Sequence, residues 1–209
     1  MAGRKIDGSV RERLLAAADQ LFYDEGVHSV GIDRVIEQAG VAKASLYSSF
    51  GSKEELVASY LERRAEKRKR LISERLARYH TPREQILGIF ELLGEIVADP
   101  KYRGCAFVNA AAEAQLSESR GRTVWNELRK WVWGLFCELA RELHARRPEE
   151  LGHQLALLYD GVVVRAAMDR DPRAAADARA VAETLLEHVE RADKPRRPSA
   201  SQSPKRARN

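Results

Sequence analysis

The chain has 209 residues, with 36 Lys plus Arg against 31 Asp plus Glu and a formal charge of +5. That length can bury a core without covalent staples, and Cys105 and Cys137 make neither a disulfide framework nor a metal site by their spacing. The longest early apolar run, Leu14 to Ala18, stops at Asp19, and no stretch nears the roughly 20 apolar residues of a membrane span, so a cytoplasmic chain with no membrane partner is expected.

The excess charge is local. Residues 192–209 hold six basic groups against Asp193, which leaves 30 basic and 30 acidic residues in the rest. The basic balance therefore describes the tail, and any case for nucleic acid must come from local arrangement. Thirty alanines, with abundant Leu, Glu and Arg, favour helix. Pro82, Pro100, Pro148 and Pro172 fall between periodic segments, and no alternating β-branched run suggests a strand. An all-α fold of about nine helices is expected.

Ser9 with Glu12 forms a capping box for a first helix whose Val10, Leu14, Ala17, Leu21 and Phe22 make one stripe, closed by Gly26. Ile32, Val35, Ile36 and Ala39 give a short second helix. Gly40 follows where a tight turn wants a positive φ, with Val41 packed beneath it. A third helix, Lys43 to Phe50, turns Leu46 and Phe50 inward and leaves Lys43, Ser45, Ser48 and Ser49 facing out. This is a helix-turn-helix layout, and from Gln38 to Lys53 it carries no carboxylate, as a surface meeting phosphates requires. Two short amphipathic helices around a glycine also recur in proteins that bind no nucleic acid, and the pattern alone leaves both readings open.

Ser52 with Glu55 opens a fourth helix, expected to run to Tyr79. Thr81, Pro82 and Glu84 open a fifth, in which Ile86, Ile89, Phe90, Leu93, Ile96 and Val97 keep helical period until Asp99-Pro100. Ala106 to Gln115 suits a helix, and Ser117 to Gly121 reads as a break. A longer helix follows, with Val124, Leu128, Trp131, Val132, Leu135, Leu139 and Leu143 on one face. Two more span about 149–169 and 173–191. The last 18 residues, rich in Pro, Ser, Lys and Arg, are expected to be disordered.

Residues 9–56 resemble the DNA-binding domain of TetR-type transcriptional regulators. The resemblance lies in Leu21-Phe22 followed by Gly26, in the run from Ala39-Gly40-Val41 to Leu46-Tyr47-Ser48-Ser49-Phe50, and in Ser52-Lys53-Glu54-Glu55-Leu56. It implies a DNA-binding domain over 1–56, a ligand-sensing and dimerisation domain over 57–191, and a basic tail over 192–209. It further implies that the third helix enters the major groove, with Tyr47 and Lys53 holding phosphates. Ser45 would contact phosphate or base, and Lys43, Ala44, Ser48 and Ser49 share the reading face. Tyr47 also has a second reading, as an aromatic sealing the small domain. Three departures stand out: Gly31 where a hydroxyl residue often caps the second helix, Ala44 for a frequent glycine, and Ser49 for a frequent ring. Readout is then expected to lean on Arg34 and Lys43 or on DNA shape, with the Gly31 amide standing in for the lost hydroxyl. Arg4 and Lys5 read equally as a groove-binding arm or a solubilising terminus.

Residues 57–191 show no enzyme motif, and none of the five histidines is spaced for zinc, so no catalytic residue, metal or cofactor is expected. His153 and Asp160 read as a solvated or interface pair. The resemblance implies that the last two helices pair across a homodimer, and Leu155, Leu158, Val162, Leu185 and Val189 offer apolar surface for it. Phe90, Phe107, Asn109, Trp125, Trp131, Phe136 and Tyr159 are candidate ligand-binding residues, each with a core reading beside it. Trp131 and Trp133 cannot both face one core. Cys105 reads as an inert packed thiol. The expected function is a homodimeric repressor on a pseudo-palindromic double-stranded operator, released by a small apolar or aromatic effector. The alternative is a dimeric ligand-binding or scaffold module whose helix-turn-helix no longer reads specific DNA.

Overall fold

The computed structural model describes residues 8–113, 120–169, 171 and 173–193. Among them the chain forms nine helices and no strand: α1 Val10–Glu25, α2 Ile32–Ala39, α3 Lys43–Phe50, α4 Lys53–Leu76, α5 Pro82–Ala98, α6 Ala106–Glu113, α7 Arg120–Glu142, α8 Pro148–Asp169 and α9 Arg173–Asp193. The expected arm at Arg4 and Lys5, the tail beyond Asp193, the end of the sixth helix at Gln115 and the break at 117–119 lie outside the described residues.

Local chemistry sets most of the boundaries. Reciprocal capping boxes open α1 (Ser9, Glu12) and α5 (Thr81, Glu84), and the Ser52 hydroxyl accepts from Glu55 N at the start of α4. Gly40 takes the left-handed conformation, φ 62°, and closes α2. Three boundaries differ from the sequence reading. α4 stops at Leu76, and residues 77–79 tighten into a turn with Tyr79 N donating to Leu76 O at 3.1 Å. Tyr79 instead turns its ring onto Gly88 of α5, where there is no room for a Cβ, and donates to Glu91 at 2.7 Å. Arg120 and Gly121, expected in a break, begin α7. Arg120 there pairs with Glu55 at 2.5 Å and Glu62 at 2.6 Å, both on α4. α9 runs to Asp193, so its last two residues are helix rather than tail.

One apolar core runs through the whole body. Leu14, Ala17, Ala18, Leu46 and Phe50 knit α1 to α3, and Leu56, Tyr60 and Leu61 carry the packing along α4 into the bundle. There Ile86, Phe90 and Leu93 meet Phe136, Leu155 and Leu186 from α7, α8 and α9. α7 lies against α8 so closely that a Cβ on Gly152 would sit 3.0 Å from the backbone N and Cα of Cys137. Such crossings fix rigid walls, because close-packed backbones cannot yield.

The outer face of the last helices corrects the expected interface. Leu155 and Val162 are buried in the subunit's own core, and Leu158, Leu185 and Val189 pack partly against it. Among the described residues, the large apolar side chains of these helices left in solvent are Leu157 (73% exposed), Val164 and Met168 (78%) on α8 and Val181 on α9. Leu157, Gly161, Val164 and Met168 recur at four, three and four residues, which places them on one helical face.

Candidate functional site

The head of the molecule presents α2 and α3 outward. Leu46 and Phe50 are buried, so helical period turns the other side of α3 to solvent. Ala44 and Ser48 are exposed there, Tyr47 is 46% exposed, and Ser45, Ser49 and Lys53 are partly covered. The Ser48 hydroxyl donates to Ser45 O at 3.1 Å, which leaves its lone pairs outward. Neither Gly31 nor Ala42, the residues before α2 and α3, supplies a side-chain cap. The first amides of both helices thus lack the partner that α1, α4 and α5 have, and helix starts of this kind suit phosphate.

The two cations expected to lead readout are engaged. Lys43 donates to Asp33 at 2.9 Å, which raises its pKa, and Arg34 forms a fork on Glu25, with one arm at 2.8 Å. The acid-free run from Gln38 to Lys53 is real along the chain, but Asp33 and Glu25 are folded onto its face. Arg13 went unnoticed in the sequence. Its guanidinium donates to the Ala39 carbonyl at 3.0 and 2.8 Å and also to Gly40 O, which ties the helix-turn-helix bend to α1.

A cavity of about 960 Å³ opens where the head meets the bundle. Phe107, Trp125 and Tyr159 line it, as do Cys105, which is half-buried rather than packed away, and Tyr23 and Asp19 of α1. The other candidates lie elsewhere. Phe90 and Phe136 stack with centroids 6.0 Å apart in the core, Trp131 packs on that core, and Asn109 donates to Arg103 O at 3.0 Å. Trp133, exposed, stacks on His153 at 4.6 Å, and Asp160 pairs with Arg129 at 2.8 Å, so His153 and Asp160 form no pair. Two of the cavity's six cations are likewise matched, Arg129 by Asp160 and Arg64 by Asp19. Arg64 spans from α4 to Asp19 at 2.6 and 3.0 Å and lies 3.9 Å over the Tyr23 ring. The Tyr23 hydroxyl in turn donates to Gly104 O at 3.1 Å and accepts from Arg103 N at 3.0 Å.

Comparison with known proteins agrees with this geometry. The family profile "Bacterial regulatory proteins, tetR family" matches residues 14–60, which are α1 to α3 and the start of α4. A TetR-type transcriptional regulator from Streptomyces avermitilis is 30% identical in sequence, with a TM-score of 0.77 over 88% of this chain and 99% of its own. The chain belongs to the TetR family. A second TetR-family regulator, from Streptomyces coelicolor, is 28% identical with a TM-score of 0.79, over 86% of this chain and 95% of its own. The transcriptional activator FasR of Mycolicibacterium smegmatis is 45% identical over 53 residues, 25% of this chain. This TetR-family chain spans about a quarter of FasR's length, 24%. It is a DNA-binding transcriptional regulator built on a helix-turn-helix, and its relatives are named for regulation rather than for catalysis. Among the described residues no helix is long and apolar enough to cross a membrane, and no group of His, Cys, Asp and Glu is placed to hold a metal.

Proposed function

We propose that the chain is an effector-released repressor which binds a pseudo-palindromic operator as a homodimer, with α3 in the major groove. The observation that carries this is the outward side of α3, where Ala44, Ser45, Tyr47, Ser48 and Ser49 flank buried Leu46 and Phe50 between two uncapped helix starts. In this reading Tyr47 and Lys53 hold phosphates, the Gly31 amide holds another, and Lys43 and Arg34 exchange their carboxylates for DNA. The face bearing Leu157, Val164, Met168 and Val181 supports pairing through α8 and α9, because four-helix contacts between copies bury such stripes.

Release follows from the cavity's construction. Its wall includes the turn carrying Arg103 and Gly104, which Tyr23 fastens to α1 by two hydrogen bonds. An effector that shifts this turn moves α1, and with it the helix-turn-helix that Arg13 ties on. A dimer whose heads are displaced no longer fits both half-sites. An activator reading has one support, the similarity to the transcriptional activator FasR, and it uses the same contacts with the opposite sign.

Fluorescence anisotropy on DNA flanking the gene tests the contact assignment. Tyr47→Phe and Lys53→Ala are expected to weaken binding across sequences, Lys53→Ala lowering the salt slope by about one, with the sedimentation of the dimer unchanged. Parent-like affinity in both variants overturns it.

A further inference from the structure

We infer that the cavity takes an organic monoanion, a carboxylate on an apolar body, gripped between Arg68 of α4 and Tyr159 of α8. This rests on the reading of the cavity as an effector site. Arg68 lines the cavity and donates to the Tyr159 hydroxyl at 2.8 Å, and no carboxylate among the described residues pairs with it. Of the other cavity arginines, Arg64 has Asp19, Arg129 has Asp160, and Arg103, exposed to solvent, donates to Pro100 O at 3.4 Å. A guanidinium cannot discharge itself, so one held partly covered on a cavity wall without a carboxylate partner favours an anion brought in from outside.

Tyr159 adds a second donor. It is only 6% exposed, its oxygen accepts from Arg68, and its own proton has no acceptor among the described residues. Burial pushes its pKa up, against the pull of Arg68, so the phenol keeps that proton to donate. Tyr102, also on the cavity wall, spends its proton on Val163 O at 3.3 Å. A carboxylate placed against Arg68 and Tyr159 accepts from both, in the charge-assisted geometry that guanidinium forks favour.

Lys67, Lys101 and Arg103 on the wall likewise have no carboxylate partner among the described residues, but all three are exposed to solvent. Arg68, partly covered, is therefore the cation that calls for one negative charge inside the cavity. The remaining acids of the wall, Asp24 and Asp99, are exposed and oppose a polyanion. Leu71, Ile96, Phe107, Leu128, Val132 and Val163 supply an apolar lining for the ligand's body. Sequence periodicity pointed only to an apolar or aromatic effector, because the missing partner of Arg68 is a fact of three dimensions.

Trp125 lines the same cavity, so its fluorescence reports occupancy of the full-length protein. Octanoate, dodecanoate and naphthoate are titrated, each beside its carboxamide. At least one acid is expected to bind about tenfold tighter than its amide, a preference that Arg68→Met abolishes. Tyr159→Phe, which retains the charge, is expected to weaken that acid several-fold, and this decides the matter should Arg68→Met fail to fold. Equal binding of acid and amide, an acid preference that survives Arg68→Met, or no binding by any acid overturns the inference. Operator affinity is followed in parallel. Arg68-dependent binding that leaves it unchanged upholds the anion site and overturns release, whereas release by neutral compounds without acid preference does the reverse.

Discussion

Lys43 stands on the outward face of α3, as the inward spacing of Leu46 and Phe50 requires, yet its ammonium is held by Asp33 from the helix before. In the proposed complex, DNA competes with that carboxylate for Lys43. Asp33→Asn frees the lysine and removes a negative charge from the face, so operator affinity is expected to rise several-fold and the salt slope to steepen by about one. An anisotropy titration showing weaker or unchanged binding would mean that Lys43 does not meet phosphate. The same residue marks where the sequence stopped being informative. The buried and exposed sides of α3 follow from period alone, but Asp33 on Lys43, Glu25 on Arg34 and Arg13 on Ala39 join residues 10, 9 and 26 apart. No local pattern encodes which of many charges will fold onto which.

Helix boundaries were legible wherever a cap or a glycine fixed them, as at Ser9, Gly40 and Thr81. They slipped where tertiary contact decided, as when Tyr79 left α4 to cover Gly88. Two glycines separate propensity from packing. Gly134, on α7, has nothing within 4 Å of a built Cβ, whereas Gly152 on α8 abuts the backbone of Cys137. Gly134→Ala is expected to raise stability by up to about 1 kcal/mol through helix propensity. Gly152→Ala is expected to lower it by about 1–3 kcal/mol, because overpacking against backbone outweighs that gain. Thermal melts moving in the same direction for both would contradict this account of the α7–α8 crossing.

The Thr81–Glu84 box carries a pH signature. Hydrogen bonds from the Thr81 hydroxyl, then from backbone amides, hold the Glu84 pKa below its ordinary 4.5. A carboxylate lowered in the folded state contributes stability above its unfolded pKa and loses it as pH falls through the folded value. Glu84→Gln should therefore melt below the parent at neutral pH, and the gap should close on acidification below pH 4.5. A gap independent of pH would assign the cap's contribution to the hydroxyl alone.

At the scale of the molecule, head and bundle share one core and a chain of polar ties. Arg64 to Asp19 and Tyr23 to Gly104 join α1 to the cavity wall, and Arg120 joins α7 to α4. In the proposed release mechanism these ties carry the effect of a ligand among the bundle helices to α3. Tyr23→Phe removes one of them, and is expected to leave operator binding intact while weakening its response to effector. The clustered aromatics left core and cavity readings side by side; Phe90 and Phe136 went to the core, while unflagged Tyr23, Arg68 and Tyr102 went to the cavity wall. Periodicity tells buried from exposed, and it cannot tell a core from the lining of a hole within it.

The most direct test of the account is a hydroxyl-radical footprint of the parent protein on DNA flanking its gene. Two symmetric patches over an inverted repeat, about 34 Å or a multiple of that apart and both lost on Lys53→Ala, are the expected result. A single patch, or protection that follows no sequence, would contradict a twofold operator read by α3.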